Sequence, residues 1–262
     1  MGARTEHTPG TFSYVDLSTT DPDAAKAFYG ELFGWGFDDQ EVGEGVVYTT
    51  CRIDGATVCA VSAQMEQERQ MGVPPHWNNY VTVQDDDAIA EQAKQAGANM
   101  MMEPFDVMNS GRMAIFADPT GAVLCVWQPR EHIGAGIVNA PGALTWNELH
   151  TTDIQRAESF YGDLFGWSFD AMDPHAPAGG PTYHVIRNGE RADGGVMATQ
   201  PQEPPNWMAY FAVDDLDASM DKLKELGGQV HAGPIPFPQG RIAVCADPQG
   251  AFFSLWEGQL EN

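Results

Sequence analysis

"FYGELFGWGFDD", from Phe28 to Asp39, and "FYGDLFGWSFDA", from Phe160 to Ala171, are nearly the same twelve residues written twice, 132 positions apart. Duplication of a whole unit keeps such spacing, and the flanking sequence agrees. "PGTFSYVDLSTTD" (Pro9 to Asp21) answers "PGALTWNELHTTD" (Pro141 to Asp153) at the same offset. "PPHWNNYVTVQD" from Pro74 answers "PPNWMAYFAVDD" from Pro204 at 130, and "ADPTGAVLCVWQ" from Ala117 answers "ADPQGAFFSLWE" from Ala246 at 129. So little drift across a half means small loop changes. The spacing predicts two homologous domains, 1–129 and 141–262, joined by a glycine-bearing connector over 130–140 that has no periodicity.

Each half divides again. Asp21 and Asp153 stand where a helix would be capped, Pro22 suits a first turn, and Ala25, Phe28, Tyr29 and Leu32 form an apolar stripe that stops at Gly34. Phe28, Tyr29, Phe33 and Trp35 at this spacing read as core rather than as ligand contacts. "GFDDQEV", "VVYTTCRI" and "ATVCAVSA" follow as short strands parted by Gly and Asp-Gly turns. Asp85 and Asp214 read as second caps, 64 and 61 residues further on, and the strand–helix–three-strand order repeats behind them. The chain is thus expected to be α+β, with four βαβββ modules in two tandem domains.

Composition narrows the function. With 43% hydrophobic residues the 262-residue chain can fill two cores, and the segment "MGARTEHTPGTF" has charge but no apolar stretch of a signal peptide, so a cytoplasmic location is expected. Thirteen Lys and Arg against 37 Asp and Glu leave a net charge of −24, which opposes phosphate backbones and anionic lipid. Neither nucleic acid nor membrane is an expected partner. Cys51, Cys59, Cys125 and Cys245 lie in apolar runs without CxxC spacing and read as buried thiols.

Paired βαβββ modules, a "D…FYxxLFGW" first helix and an "ADPxGA" hairpin before the last strand resemble the vicinal-oxygen-chelate superfamily, which includes glyoxalase I, bleomycin-resistance proteins and extradiol dioxygenases. The resemblance covers nearly the whole chain and is closest to tandem glyoxalase-like proteins of actinobacterial type. It implies that each pair of modules curls into a cup around a ligand, with the first helix on the outer face. In metal-using members the ligands come from first and last strands. The corresponding positions here are Tyr14, Asn78 and Cys125 in one half and Trp146, Met208 and Ser254 in the other. A catalytic Ni²⁺, Zn²⁺ or Fe²⁺ needs about three converging His or carboxylate ligands. None of the six supplies one, so no metal and no cofactor are expected.

The resemblance also implies which side chains line the cups: Tyr14, Asp16, Asn78, Tyr80, Cys125 and Trp127 in the first, and Trp146, Glu148, His150, Met208, Tyr210, Ser254 and Trp256 in the second. Glu148 and His150 are two apart on a strand and share the face of Trp146. Three readings stay open for them: metal ligands, a Glu-oriented general base, or a pair hydrogen-bonded to each other near the rim. His184 in "TYHVIR" would be a third partner if it turned inward. His76 opens a strand, and His7, His132, His175 and His231 read as surface residues. Asp85 to Asp87 read as a helix cap and the "ADPxG" runs as turns.

The leading expectation is a metal-free binder of a small, partly aromatic organic molecule, monomeric or homodimeric. The alternative is a glyoxalase-like lyase or isomerase acting on a carbonyl compound through Glu148 and His150. A third reading is a degenerate module whose cups mediate assembly. Because "SYVDLS" faces "TWNELH" while the scaffold words repeat, the two cups are expected to be unequal, the second being the more polar.

Overall fold

The computed structural model describes residues 2–43, 45–171, 183–199 and 203–260. The first half runs β1 (Gly2–Ala3), β2 (Phe12–Thr19), α1 (Pro22–Phe33), β3 (Gly36–Gly43), β4 (Val46–Ile53), β5 (Ala56–Ala63), α2 (Glu66–Met71), β6 (His76–Thr82), α3 (Asp86–Gln95), β7 (Asn99–Val107), β8 (Gly111–Ala117) and β9 (Val123–Pro129). After a short β10 (Ile137–Val138), the second half repeats the order, without a counterpart of α2 among the described residues. It runs β11 (Leu144–Thr151), α4 (Ile154–Phe165), β12 (Ser168–Ala171), β13 (Tyr183–Asn188), β14 (Arg191–Ala198), β15 (Asn206–Ala212), α5 (Leu216–Glu225), β16 (Gln229–Phe237), β17 (Gly240–Ala246) and β18 (Phe252–Gly258).

Each half builds its own eight-stranded sheet, ordered β3-β4-β5-β2-β6-β9-β8-β7 and β12-β13-β14-β11-β15-β18-β17-β16. The fold is α+β with four βαβββ modules. Local chemistry sets the helices: Asp21 accepts from Ala24 N at 3.0 Å, Pro22 enters the first turn, and Gly34 closes α1 at φ 72°. Asp153 and Gly166 do the same for α4. Asp85 caps α3, but α5 is capped by Asp215 rather than Asp214. Two adjacent aspartates made that register ambiguous.

Strand alternation gives each sheet two faces. A bulge after Phe12, and its counterpart after Leu144, sets the phase that turns Tyr14 and Asp16, or Trp146 and Glu148, to the concave side. Val15 and Leu17 point to the convex side, where the halves meet. There Phe28, Tyr29 and Trp35 pack with Phe211, Leu223 and Phe253 of the other half, and Phe160, Tyr161 and Trp167 pack reciprocally with Phe12, Phe116 and Leu124. The duplicated twelve-residue segment is therefore the seam between the halves.

A polar relay crosses that seam twice. Trp77 Nε1 donates to Tyr29 Oη (3.3 Å), whose hydroxyl donates to Asp247 (3.1 Å); Trp207 donates to Tyr161 (3.0 Å), which donates to Asp118 (2.9 Å). Asp118 and Asp247 also accept from backbone N–H groups of their own "ADPxG" loops, so these runs are turns that double as latches.

Residues 130–140 are woven into both halves rather than slack. β10 pairs with β1, Ala135 N bonds Ser13 O and Gly136 N bonds Thr57 O, both at 2.8 Å. Gly134 has φ 103°, and a Cβ there would lie 2.6 Å from Ser13 O, so only glycine fits. The four cysteines are buried and free. Among the described residues no helix is long and apolar enough to cross a membrane.

Candidate functional site: two unequal cups

The first cup is filled by its own side chains. Tyr14, Tyr80, Met113, Cys125 and Trp127 are buried against one another, with Tyr48 and Phe105 packed beside them. Asp16 sits among them and accepts from Asn78 Nδ2 (2.9 Å), Tyr80 Oη (2.9 Å) and Tyr48 Oη (3.1 Å). Burial pushes its carboxyl up from the usual range, and these three donors oppose the shift. The connector closes the mouth: the ring of His132 lies edge-on to Tyr14 at 5.0 Å, and Trp127 Nε1 donates to His132 O at 2.8 Å. His132 is thus no free surface residue, and burial lowers its imidazole pKa. A depression of about 350 Å³, lined by Arg52, Thr57 and Glu131, remains outside it.

The second cup is open. A cavity of about 510 Å³ is lined by Trp146, Glu148, Tyr183, Tyr210, Ile242 and Trp256. Met208 and Ser254 are buried in the wall of the same cup. Glu148 is only 5% exposed; its Oε1 accepts from Tyr210 Oη at 2.7 Å and lies 2.8 Å from His150 Nε2. Trp146 Nε1 donates to Tyr183 Oη at 2.9 Å. Burial, and then the Glu148 charge, push the Tyr183 and Tyr210 phenols well above their ordinary range, which keeps both protonated as donors. The floor of the cavity is thus one carboxylate among phenols, inside aromatic walls.

Glu148 and His150 are hydrogen-bonded to each other, as both the paired reading and the reading of a Glu-oriented base require. Glu148 reaches the cavity, and His150 stands behind it. His184 faces away from the cup, because strand alternation sends Tyr183, Val185 and Arg187 inward, and it pairs with Glu158 of α4. His175 lies outside the described residues. His76 and His231 do not line the cavity, but His7 does, with Nε2 2.8 Å from Ala135 O, so it is no surface tail residue.

Tyr48 and Tyr183 occupy matching places: Tyr48 is opposite Ser62 in its sheet as Tyr183 is opposite Met197, and Ser62 and Met197 are opposite Ser18 and His150. Neither was singled out from the sequence, although "YTTCR" from Tyr48 and "YHVIR" from Tyr183 share a Tyr-x₃-Arg spacing that would have found them.

The six positions where metal-using relatives carry ligands do not fit a divalent metal. Tyr14, Trp146, Asn78, Met208 and Ser254 are poor donors, and burial pushes the Cys125 thiol so far up that it stays protonated. Glu148 and His150 supply two donors at most and are already bonded to each other. Among the described residues no three His, Cys, Asp or Glu side chains converge. Chelator treatment is therefore expected to leave the melting temperature unchanged. Stoichiometric Ni²⁺, Zn²⁺ or Fe²⁺ in protein purified without a metal-binding tag would reverse that expectation.

The model of the Glyoxalase/Bleomycin resistance protein/Dioxygenase superfamily matches residues 11–126 and 143–255. The chain belongs to this superfamily. Among relatives, CFP32 of Mycobacterium tuberculosis, named as a candidate glyoxylase, is 44% identical over 258 residues that span 97% of each chain. The anthracycline biosynthesis protein DauV of Streptomyces sp. strain C5 is 35% identical over 263 residues, 97% of this chain and 95% of its own. The Mn(II)-bound glyoxalase of Novosphingobium aromaticivorans superposes with a TM-score of 0.64 at 18% identity, covering 100% of this chain and 84% of that one. That likeness is one of fold, and a shared fold does not carry a shared metal.

Proposed function

We propose that this member of the superfamily binds a small, partly aromatic organic molecule, without a metal, in the cup of its second half. One observation carries the reading: the second cup holds a cavity of about 510 Å³ walled by Trp146, Tyr210 and Trp256, whereas in the first half Tyr14, Tyr80 and Trp127 are buried against one another and only a depression of about 350 Å³ remains at the mouth. Size, aromatic walls and a few convergent polar groups are what a drug-sized ligand requires. A relative named for anthracycline biosynthesis is consistent with a ligand carrying fused rings. The alternative is turnover of a carbonyl compound by a glyoxalase-like lyase or isomerase. It draws on the Glu148–His150 hydrogen bond, because a carboxylate that fixes an imidazole can prepare it for proton transfer.

The test uses N-phenyl-1-naphthylamine, an uncharged fluorescent probe of suitable shape. It is expected to bind one per chain. Trp146→Ala and Trp256→Ala should each weaken binding at least tenfold, worth about 1.4 kcal/mol. Trp127→Phe, in the filled cup, should leave binding unchanged. Loss of binding in the Trp127 variant alone would move the site to the first half. Chemical change of a small ketoaldehyde that depends on Glu148 and His150 would favour the enzyme.

A further inference from the structure

The second cup is not built by the second half alone. The N-terminal arm crosses from the first half and lies along its mouth: Gly2 and Ala3 pair with Val138 and Ile137, and Arg4 N bonds Gly136 O at 2.8 Å. Further along, Asn188 Nδ2 donates to Pro9 O (3.1 Å), Trp167 Nε1 to Gly10 O (2.7 Å), and Phe12 N to Asp193 (3.2 Å). An arm held at both ends and at its middle is a wall, and it turns Arg4, His7, Thr11 and Phe12 into the cavity. The segment that answers the arm at the offset of 132, residues 134–142, follows directly on His132, whose ring lies against Tyr14 at the mouth of the first cup. A segment outside the modules therefore stands at the mouth of each cup, closing one and furnishing the other.

What the arm furnishes is charge. The molecule carries −24, yet Arg4, Arg187 and Arg191 all line this cavity. Arg187 is bonded to Asp170 at 2.9 Å, and Arg191 stands 3.7 Å from Asp193, whose carboxylate also receives Phe12 N. Arg4 is half-buried, makes a side-chain bond to the adjacent Ala3 O at 3.2 Å, and has no ion pair among the described residues. A half-buried guanidinium on the wall of an aromatic cavity is a fork awaiting an oxyanion, because two parallel N–H donors match a carboxylate or sulfonate face. The acidic surface elsewhere does not cancel it, since charges beyond a Debye length of about 8 Å are screened at physiological salt.

We propose that the N-terminal arm completes the ligand site, and that Arg4, supported by Arg191, receives an acid group on an aromatic ligand. The rings would lie between Trp146 and Trp256, and the acid group would sit at the mouth. This inference rests on the aromatic-binding reading above and names the ligand class within it: planar aromatic acids.

The test compares two probes with the same ring system, 8-anilinonaphthalene-1-sulfonate and uncharged N-phenyl-1-naphthylamine, titrated by fluorescence against the full chain at about 0.15 M salt, where that screening holds. The sulfonate is expected to bind about tenfold more tightly than the neutral probe, an advantage equal to one well-placed charged hydrogen bond. Arg4→Gln should remove that advantage while changing affinity for the neutral probe less than twofold, and Arg4→Lys should keep part of it. Equal affinity of the sulfonate for wild type and Arg4→Gln would overturn the inference. So would an equal loss of both probes in Arg4→Gln and Arg191→Gln, because the arm would then be a structural wall only. If Trp256→Ala still abolishes neutral-probe binding in that case, the aromatic-binding reading survives without the acid. Failure of the sulfonate alone to bind wild type would overturn the acid-group inference and leave the aromatic-binding reading standing, whereas failure of the neutral probe would overturn the aromatic-binding reading and with it this one.

Discussion

Tyr29→Phe and Tyr161→Phe are each expected to lower stability by about 2 kcal/mol, and together by about 4, because each hydroxyl satisfies two buried partners at once. Tyr29 accepts from Trp77 and donates to Asp247; Tyr161 accepts from Trp207 and donates to Asp118. Removing the oxygen leaves an indole N–H and a carboxylate without that partner, in sites where Asp247 is 2% and Asp118 3% exposed. The ring packing survives in phenylalanine, so the loss reports the relay and not a cavity. Since donor and acceptor belong to different halves, the double variant weakens their association as well as each core. For a chain of this size, roughly 2–4 °C per kcal/mol puts the drop in melting temperature near 10 °C. Urea titration followed by tryptophan fluorescence and by far-ultraviolet dichroism would check it. A double variant within 1 kcal/mol of wild type, or separate transitions for the two halves in wild type, would show that the latch does not join them.

The four modules are legible in the sequence because a duplicated unit keeps its spacing, and the cap and glycine at each end of "DPDAAKAFYGELFG" fix a helix whatever surrounds it. The seam is another matter. Periodicity says that Phe28, Tyr29 and Leu32 share a face, but a buried face reads the same whether its own sheet or the other half covers it. Asp118 and Asp247 likewise read as turn residues, which they are; the tyrosine from the far half leaves no local trace. In the cups, the resemblance implied that Tyr14 and Trp146 face inward, and two-residue alternation along β2 and β11 carried Asp16 and Glu148 to the same faces. Tyr48 and Tyr183 escaped because they are 135 residues apart where the surrounding offset is 132. His7 and His132 lie in segments without periodicity that nonetheless pair their backbones with neighbouring strands or loops, and only that pairing carries the side chains inward.

Asp86→Leu is expected to stabilise the protein by about 4 kcal/mol at pH 8, against the usual direction for a substitution on a helix. Asp86 begins α3 with no exposed surface, and neither carboxylate oxygen has a hydrogen-bond partner. The matching residue of the other half is Leu216, fully buried in the shared core. Burial pushes the Asp86 carboxyl up to about 7; Arg112 opposes the shift, while Asp87 and Asp85 add to it. In the unfolded chain the group titrates near 3.9. Below about pH 4 both states are protonated and the residue costs only its packing. Between about 4 and 7 the unfolded state ionises while the folded state holds its proton, so stability falls by about 1.4 kcal/mol per pH unit. Above 7 both are ionised and the loss, about 4 kcal/mol in all, persists. Leucine removes that loss and adds buried apolar surface, less about 0.5 kcal/mol for the acidic first-turn residue it replaces. The gain from Asp86→Leu should therefore be larger at pH 8 than at pH 5 by roughly 3 kcal/mol, read from urea midpoints at the two pH values. An equal gain at both would mean that Asp86 stays solvated in the fold, and a loss at pH 8 would mean that its carboxylate has a partner holding α3 in place.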